Sequence, residues 1–246
     1  MPHFKGILFD KDGTLVSTLE SWIRLESLLA KGLLNLFHIQ WDERYLTDFL
    51  WPALGYRDGR LDPQGLLACG TEETILEAFF FNLPHPETLV LKDFLSIARN
   101  ELQNLLITYS PVAAPCGDPQ ILYRLKDAGI ILGVATGDTL TNTQRDLTAS
   151  NMADAFLFWA CCDTITPPKP SPFLIKTFCQ NYDLTPDQVL VVGDTPSDRQ
   201  MAQLAGASFA AVLSGAGTKE DLLPALAWAP NFAMLPWEQL LGDLYY

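Results

Sequence analysis

The chain has 246 residues, 48% of them hydrophobic and 11% aromatic, which suits one large or two small packed domains and excludes intrinsic disorder. Lys and Arg number 16 against 29 Asp and Glu, a formal net charge of -13. A surface of that sign argues against binding nucleic acid or docking on anionic lipid, and no run reaches the roughly 18 apolar residues that a membrane span requires.

The N-terminal stretch MPHFKGILFD does not read as a signal peptide, because its apolar run ends at Asp10. Lys5 to Asp10 reads instead as a buried parallel strand closed by a carboxylate. From Val16 to about Val112 no convincing strand follows. Ser17-Thr18-Leu19-Glu20 has the pattern of a capping box, with Leu19, Trp22, Ile23, Leu29 and Leu33 at helical spacing behind it. Asp42 to Leu54 and Thr71 to Phe81 read as further helices, and Glu87 to Tyr109 as a long one. The expectation is an all-helical domain, residues 17–112, inserted into an α/β body made of residues 1–16 and 113–246. Its aromatic side chains, Trp22, Phe37, Trp41, Phe49, Trp51 and Phe79 to Phe81, read as core; Arg24, Arg44, Arg57 and Arg60 are candidates to meet an acid group of a ligand.

Pro111, Pro115 and Gly117 mark the return to the body. Asp118 and Pro119 open a helix and Gly129 closes it. Strands are expected at 130–136, 156–161, 189–194 and 208–213, with helices at 141–150, 172–182 and 197–204 between them. The tail is expected to add an edge strand at 232–235 and a helix at 237–244. Strands alternating with helices of this length imply an α/β fold with a parallel sheet. Cys69, Cys116, Cys161, Cys162 and Cys179 form no CxxC pair and are odd in number, so they read as free thiols of a reducing cytoplasm.

Four clusters of polar residues stand at the carboxyl ends of these strands or between them. Asp10 and Asp12, two residues apart in extended chain, point the same way. Thr136-Gly137 offers a hydroxyl and an unhindered backbone to a phosphate oxygen. Lys169, set between Pro168 and Pro170, is a cation with a restricted backbone. Asp194 and Asp198 suit a hard divalent cation such as magnesium, which prefers oxygen ligands. Taken singly, each has a plain reading: a turn, a strand-to-helix junction, a surface lysine, a helix cap. Taken together they line the edge where open α/β sheets bind ligands.

In this order the motifs Asp10-Lys11-Asp12-Gly13-Thr14, Thr136-Gly137, Lys169 and Gly193-Asp194-Thr195-Pro196-Ser197-Asp198 resemble the haloacid dehalogenase superfamily. The resemblance is to its phosphoglycolate phosphatase-like branch, and it covers the whole body and the place of the insertion. It implies a Rossmann-like parallel-sheet core with an inserted all-helical cap. It implies a magnesium-dependent phosphatase of the cytoplasm that hydrolyses a small phosphorylated metabolite through an aspartyl-phosphate. By the same resemblance Asp10 is the nucleophile and a magnesium ligand, and Asp12 is the general acid and base, meeting the metal through its backbone carbonyl. Thr136, Gly137 and Lys169 bind the phosphate. Asp194 is a metal ligand, and Asp198 a ligand or the partner of one. A sugar-phosphate mutase and a non-catalytic phosphate-binding module are the competing readings. Thr14 stands against the mutase, whose motif more often resembles D-G-V, and the full set of acids and Lys169 stands against the module. The chain departs from the pattern twice: Lys11 lies between the acids where this branch often has an apolar residue, and Asp138 follows Gly137 where Asn is frequent.

Overall fold

The computed structural model describes residues 4–40, 42–109 and 113–242. The chain opens with strand β1 (Gly6–Phe9) and the short β2 (Val16–Ser17). Helix α1 (Leu19–Leu36) follows, then a wide helical turn over Tyr45–Leu50 that runs into α2 (Trp51–Leu54). A hairpin of β3 (Tyr56–Arg57) and β4 (Arg60–Leu61) precedes α3 (Leu66–Cys69), α4 (Glu72–Asn82) and α5 (Leu91–Thr108). The body resumes with β5 (Ala114–Pro115), α6 (Gln120–Asp127), β6 (Ile131–Ala135), α7 (Leu140–Ala149) and β7 (Phe158–Ala160). It continues through α8 (Phe173–Tyr182), β8 (Val189–Gly193), α9 (Pro196–Ala205) and β9 (Ser208–Val212). It ends with α10 (Lys219–Leu222), β10 (Ala227–Ala229) and α11 (Trp237–Leu241). The chain divides into two compact units, Met1–Ser17 with Ala113–Tyr246, and Thr18–Val112.

In the first unit six strands form one sheet in the order β10-β9-β8-β1-β6-β7, every neighbouring pair parallel. Alternate residues of the strands build two cores. Ile7, Phe9, Leu132, Val134, Leu190 and Val192 pack with Leu122, Leu147 and Trp237 from α6, α7 and α11. Leu8, Val189, Val191 and Phe209 pack with Leu174, Phe178 and Met201 from α8 and α9. Both faces are covered, which is why these strands read as unbroken apolar runs. Each fully buried side chain of this size contributes roughly 1.5–3 kcal/mol. The short β2 pairs antiparallel with β5, Ser17 opposite Ala114, so the chain leaves and re-enters this unit at adjacent points.

The second unit is built on α1, α4 and α5, whose Leu25, Leu29, Leu33, Phe79, Phe94 and Ala98 share a core. It is not wholly helical. Asp58 and Gly59 both take positive φ, 51° and 75°, the requirement of a two-residue hairpin turn, and so β3 and β4 form where the residue pattern predicts no strand.

Three other expectations are corrected. The capping box at Ser17–Glu20 does not form: Ser17 is committed to β2, and α1 starts from Thr18 with no side-chain capping bond. Residues 232–235 are not an edge strand. The Asn231 side chain accepts from the amides of Ala233 and Met234 and winds Phe232–Met234 into a helical turn, while the edge is β10. The helix expected from 42 starts at Tyr45; ahead of it the Asp42 carboxylate accepts from the Arg44 amide. Trp41, Pro111 and the last residues of the helix expected at 237–244 lie outside the described residues. Among the described residues no helix is long and apolar enough to cross a membrane.

Candidate active site

Asp10 directly follows β1 and is still held by the sheet, its amide donating to the Val192 carbonyl at 2.8 Å. Asp194 directly follows the neighbouring β8, and Asp198 lies in the first turn of α9. Parallel pairing in register therefore sets carboxylates from two strands side by side. Lys169, from the segment between β7 and α8, places Nζ 2.5 Å from Asp10 Oδ1 and 2.8 Å from Asp198 Oδ1. One carboxylate oxygen from each of Asp10, Asp194 and Asp198 lies within 4.8 Å of the others, and all three residues are buried.

Buried charge of one sign is costly, and this cluster shows it. Burial, and after it the charges of Asp198 and Asp194, raises the Asp10 carboxyl well above the usual range against the pull of Lys169. Burial and the Asp198 charge push Asp194 up to about 6. Burial opposes the ammonium of Lys169, yet the carboxylates of Asp10 and Asp198 outweigh it and keep the lysine charged. With all three carboxylates ionised, they and the one ammonium carry a net charge of -2. A divalent cation balances that charge, and an all-oxygen set is the donor chemistry magnesium prefers. The residues present fit such an ion.

The remaining motif residues form a second network. Lys11 is fully buried, with Nζ 3.0 Å from Asp12 Oδ2, 2.9 Å from Asp138 Oδ2 and 2.8 Å from Asp146 Oδ2. Thr136 is buried, directly after β6; its Oγ1 accepts from the Asp138 amide at 3.1 Å, and its own amide donates to the Ala160 carbonyl. Gly137, next to it, is half-buried. Asp10, Lys169, Asp194 and Asp198 are thus brought into one cluster, while the Asp12 carboxylate and Thr136 meet through Lys11 and Asp138.

Sequence reasoning missed the residues that hold Asp194. Thr14 Oγ1 donates to its Oδ1 at 2.9 Å, and the Ala216 amide donates to its Oδ2 at 2.8 Å. The Gly217 amide donates to its backbone carbonyl, and Ser214 Oγ donates to the Gly13 carbonyl at 2.7 Å. Space dictates the glycines. A Cβ on Gly215 would lie 1.9 Å from Asp194 Oδ2, and one on Gly13, whose φ is +81°, would lie 2.6 Å from the same atom. The signal was present as Ser214-Gly215-Ala216-Gly217 just after the strand at 208–213, in the place where the other strands carry their motifs. Of the four candidate arginines, Arg44 is exposed and paired with Asp42, Arg24 lies 5.3 Å from the centre of the Tyr109 ring, and Arg57 and Arg60 face each other across the β3–β4 hairpin.

The haloacid dehalogenase-like hydrolase family model matches residues 4–206. N-acetylmuramic acid 6-phosphate phosphatase of Pseudomonas aeruginosa is 26% identical over 222 residues, 89% of this chain and 86% of the relative. Pyrophosphatase PpaX of Bacillus thuringiensis is 25% identical over 245 residues, 97% of this chain and 95% of the relative. Among solved structures, a predicted phosphoglycolate phosphatase from Haemophilus somnus 129pt superposes with a TM-score of 0.70 at 20% identity, covering 96% of each chain. CbbY from Rhodobacter sphaeroides in complex with phosphate gives a TM-score of 0.65 at 21% identity, covering 94% of this chain and 96% of that one. With the sheet, the buried acids and the family match in agreement, the chain belongs to the haloacid dehalogenase-like hydrolases.

Proposed function

We propose that the protein is a magnesium-dependent phosphatase that hydrolyses a small phosphorylated metabolite through an aspartyl-phosphate on Asp10. The observation that carries the reading is the buried cluster of Asp10, Asp194 and Asp198 with Lys169, whose charges leave room for one divalent cation. The names of the two relatives, an N-acetylmuramic acid 6-phosphate phosphatase and a pyrophosphatase, support a phosphorylated small molecule as the substrate class.

Phosphate-ester hydrolysis is slow because the anion repels nucleophiles, and uncatalysed rates must be raised by factors of up to about 10²¹. When bound, magnesium supplies neutralisation of the phosphoryl oxygens and orientation of the phosphoryl group. Lys169 adds a second positive charge at the nucleophile and draws a phosphate into an otherwise acidic protein. Asp10 then attacks phosphorus in line; the bond to the ester oxygen breaks as the Asp10–phosphorus linkage forms. Asp12 gives a proton to the departing oxygen, then takes one from the water that cleaves the intermediate. Thr136 and Gly137 are assigned to the phosphate oxygens. The helical unit, inserted in the chain between β2 and β5, is assigned the role of a cap that selects the leaving group. Cys161 and Cys179, buried as free thiols, support a cytoplasmic setting.

The test is a panel of phosphorylated metabolites, inorganic pyrophosphate and 4-nitrophenyl phosphate, assayed for phosphate release with magnesium and with excess chelator. Release is expected with magnesium alone, and Asp10→Asn is expected to lower it by about 10³-fold or more. Undiminished release in chelator, or from Asp10→Asn, overturns the reading. Interconversion of sugar-phosphate isomers in place of release identifies a mutase, and binding of phosphate with no turnover of any compound a non-catalytic module.

A further inference from the structure

The two departures from the family pattern, Lys11 and Asp138, meet each other. Lys11 is completely buried; its ammonium donates a hydrogen bond to Asp146 Oδ2 and lies within ion-pair distance of the carboxylates of Asp12 and Asp138. Two of the three are themselves pinned. Asp138 Oδ1 accepts from the Thr139 amide at 2.7 Å and from Asn142 Nδ2 at 2.9 Å. Asp146 Oδ1 accepts from Arg145 Nε at 2.9 Å and pairs with Arg145 Nη2 at 2.8 Å. These anchors belong to α7 and to the turn that leads into it, so the ammonium is tied to a rigid element rather than to the motif loop. The third carboxylate differs: the Asp12 side chain is 37% exposed, against 13% for Asp138 and 2% for Asp146. By charge, Lys11 and Arg145 balance Asp138 and Asp146, and one negative charge remains for Asp12.

We propose that Lys11 is a positioning residue for Asp12, anchored by Asp138 and Asp146, and that it fixes the direction in which Asp12 presents its carboxylate to the ester oxygen. The inference rests on the assignment of Asp12 as general acid and base. It also gives Asp138 a role. Its carboxylate is spent on the protein, so the acid in the position where Asn is frequent is the counter-ion of Lys11 and not a substrate contact. The physical reason for such a device is side-chain freedom. An exposed carboxylate samples several rotamers, whereas an ion pair to a buried ammonium, itself held from two other directions, leaves one.

A purely structural role for the lysine makes a different prediction, and leaving-group dependence separates the two. General acid catalysis matters most when the departing oxygen is a poor leaving group, and kcat/KM reports the steps through phosphoryl transfer. The measurement is kcat/KM with magnesium for 4-nitrophenyl phosphate and for an alkyl phosphate, on wild type, Lys11→Met and Lys11→Met/Asp138→Asn. The double variant removes one positive and one negative charge and leaves Arg145 and Asp146 paired, so it guards against a fold lost to uncompensated buried acids. The expected result is a fall for both esters that is at least about tenfold larger for the alkyl phosphate, in whichever variant is folded by circular dichroism. Equal falls for the two esters, or no fall, overturn the inference while the phosphatase reading stands. If both variants fail to fold, the lysine serves folding and the inference is overturned as well. A wild-type protein inactive on every phosphate ester overturns the phosphatase reading itself.

Discussion

Asp10 and Asp12 differ by two positions and by everything that surrounds them. Asp10 is buried against Lys169 and the other acids, whereas Asp12 is partly exposed and paired with Lys11. Two carboxylates in unlike environments are suited to unlike tasks. Asp12→Asn keeps the nucleophile and removes the proton donor and the base. An aryl phosphate needs little protonation to leave, so Asp10 should still be phosphorylated, while hydrolysis of the intermediate should slow by about 10²-fold or more. Phosphorylated Asp10 is therefore expected to accumulate, visible by mass spectrometry after an acid quench. Failure to detect phosphorylated Asp10 contradicts the division of roles.

At the scale of an element, α1 carries a buried carboxyl that the chemistry does not use. Glu26 lies 3% exposed among the leucines of the helical unit, and its Oε2 has no hydrogen-bond partner. Burial, with a smaller push from Glu72 on α4, raises its pKa from 4.5 to about 8. The folded unit therefore holds a proton that the unfolded chain releases near pH 4.5. The associated stability is complete below about 4.5 and is lost as pH rises to about 8, at about 1.4 kcal/mol for each pH unit. Glu26→Gln mimics the protonated form and removes this dependence. Thermal unfolding at about pH 5 should find the variant close to wild type, and at about pH 8.5 more stable by a few kcal/mol. A difference that does not grow between the two pH values refutes the assignment.

At the scale of the whole molecule, each of the two units has its own hydrophobic core. The three acids of the carboxylate cluster belong to the α/β unit, and Glu26 to the helical one. A ligand that binds only a folded site stabilises it by mass action, about 2.7 kcal/mol at a hundredfold excess over Kd. Scanning calorimetry is expected to resolve two transitions. Magnesium should raise the one that belongs to the α/β unit, and Glu26→Gln at about pH 8.5 should raise the other. A single transition that moves with both, or one indifferent to magnesium, would contradict this.

The strands of the body were legible in the sequence because a parallel sheet covered on both faces demands unbroken apolar runs, and each expected strand at 5–10, 130–136, 156–161, 189–194 and 208–213 contains an observed one. The motif acids were legible for a related reason: they stand where those runs stop, and the carboxyl ends of parallel strands form the edge at which such sheets bind ligands. Short elements were less so. The hairpin of β3 and β4, the turn at Phe232–Met234 and the failed capping box at Ser17 depend on single side-chain bonds or on a distant strand, and local pattern carries little of that. Tertiary structure alone decided which charges meet. Lys11 and Asp146 are 135 residues apart, and Thr14 and Asp194 are 180 apart. No spacing rule reaches across such separations; the register of β1 between β6 and β8 does, because it sets the ends of three strands, and whatever follows them, at one edge of the sheet.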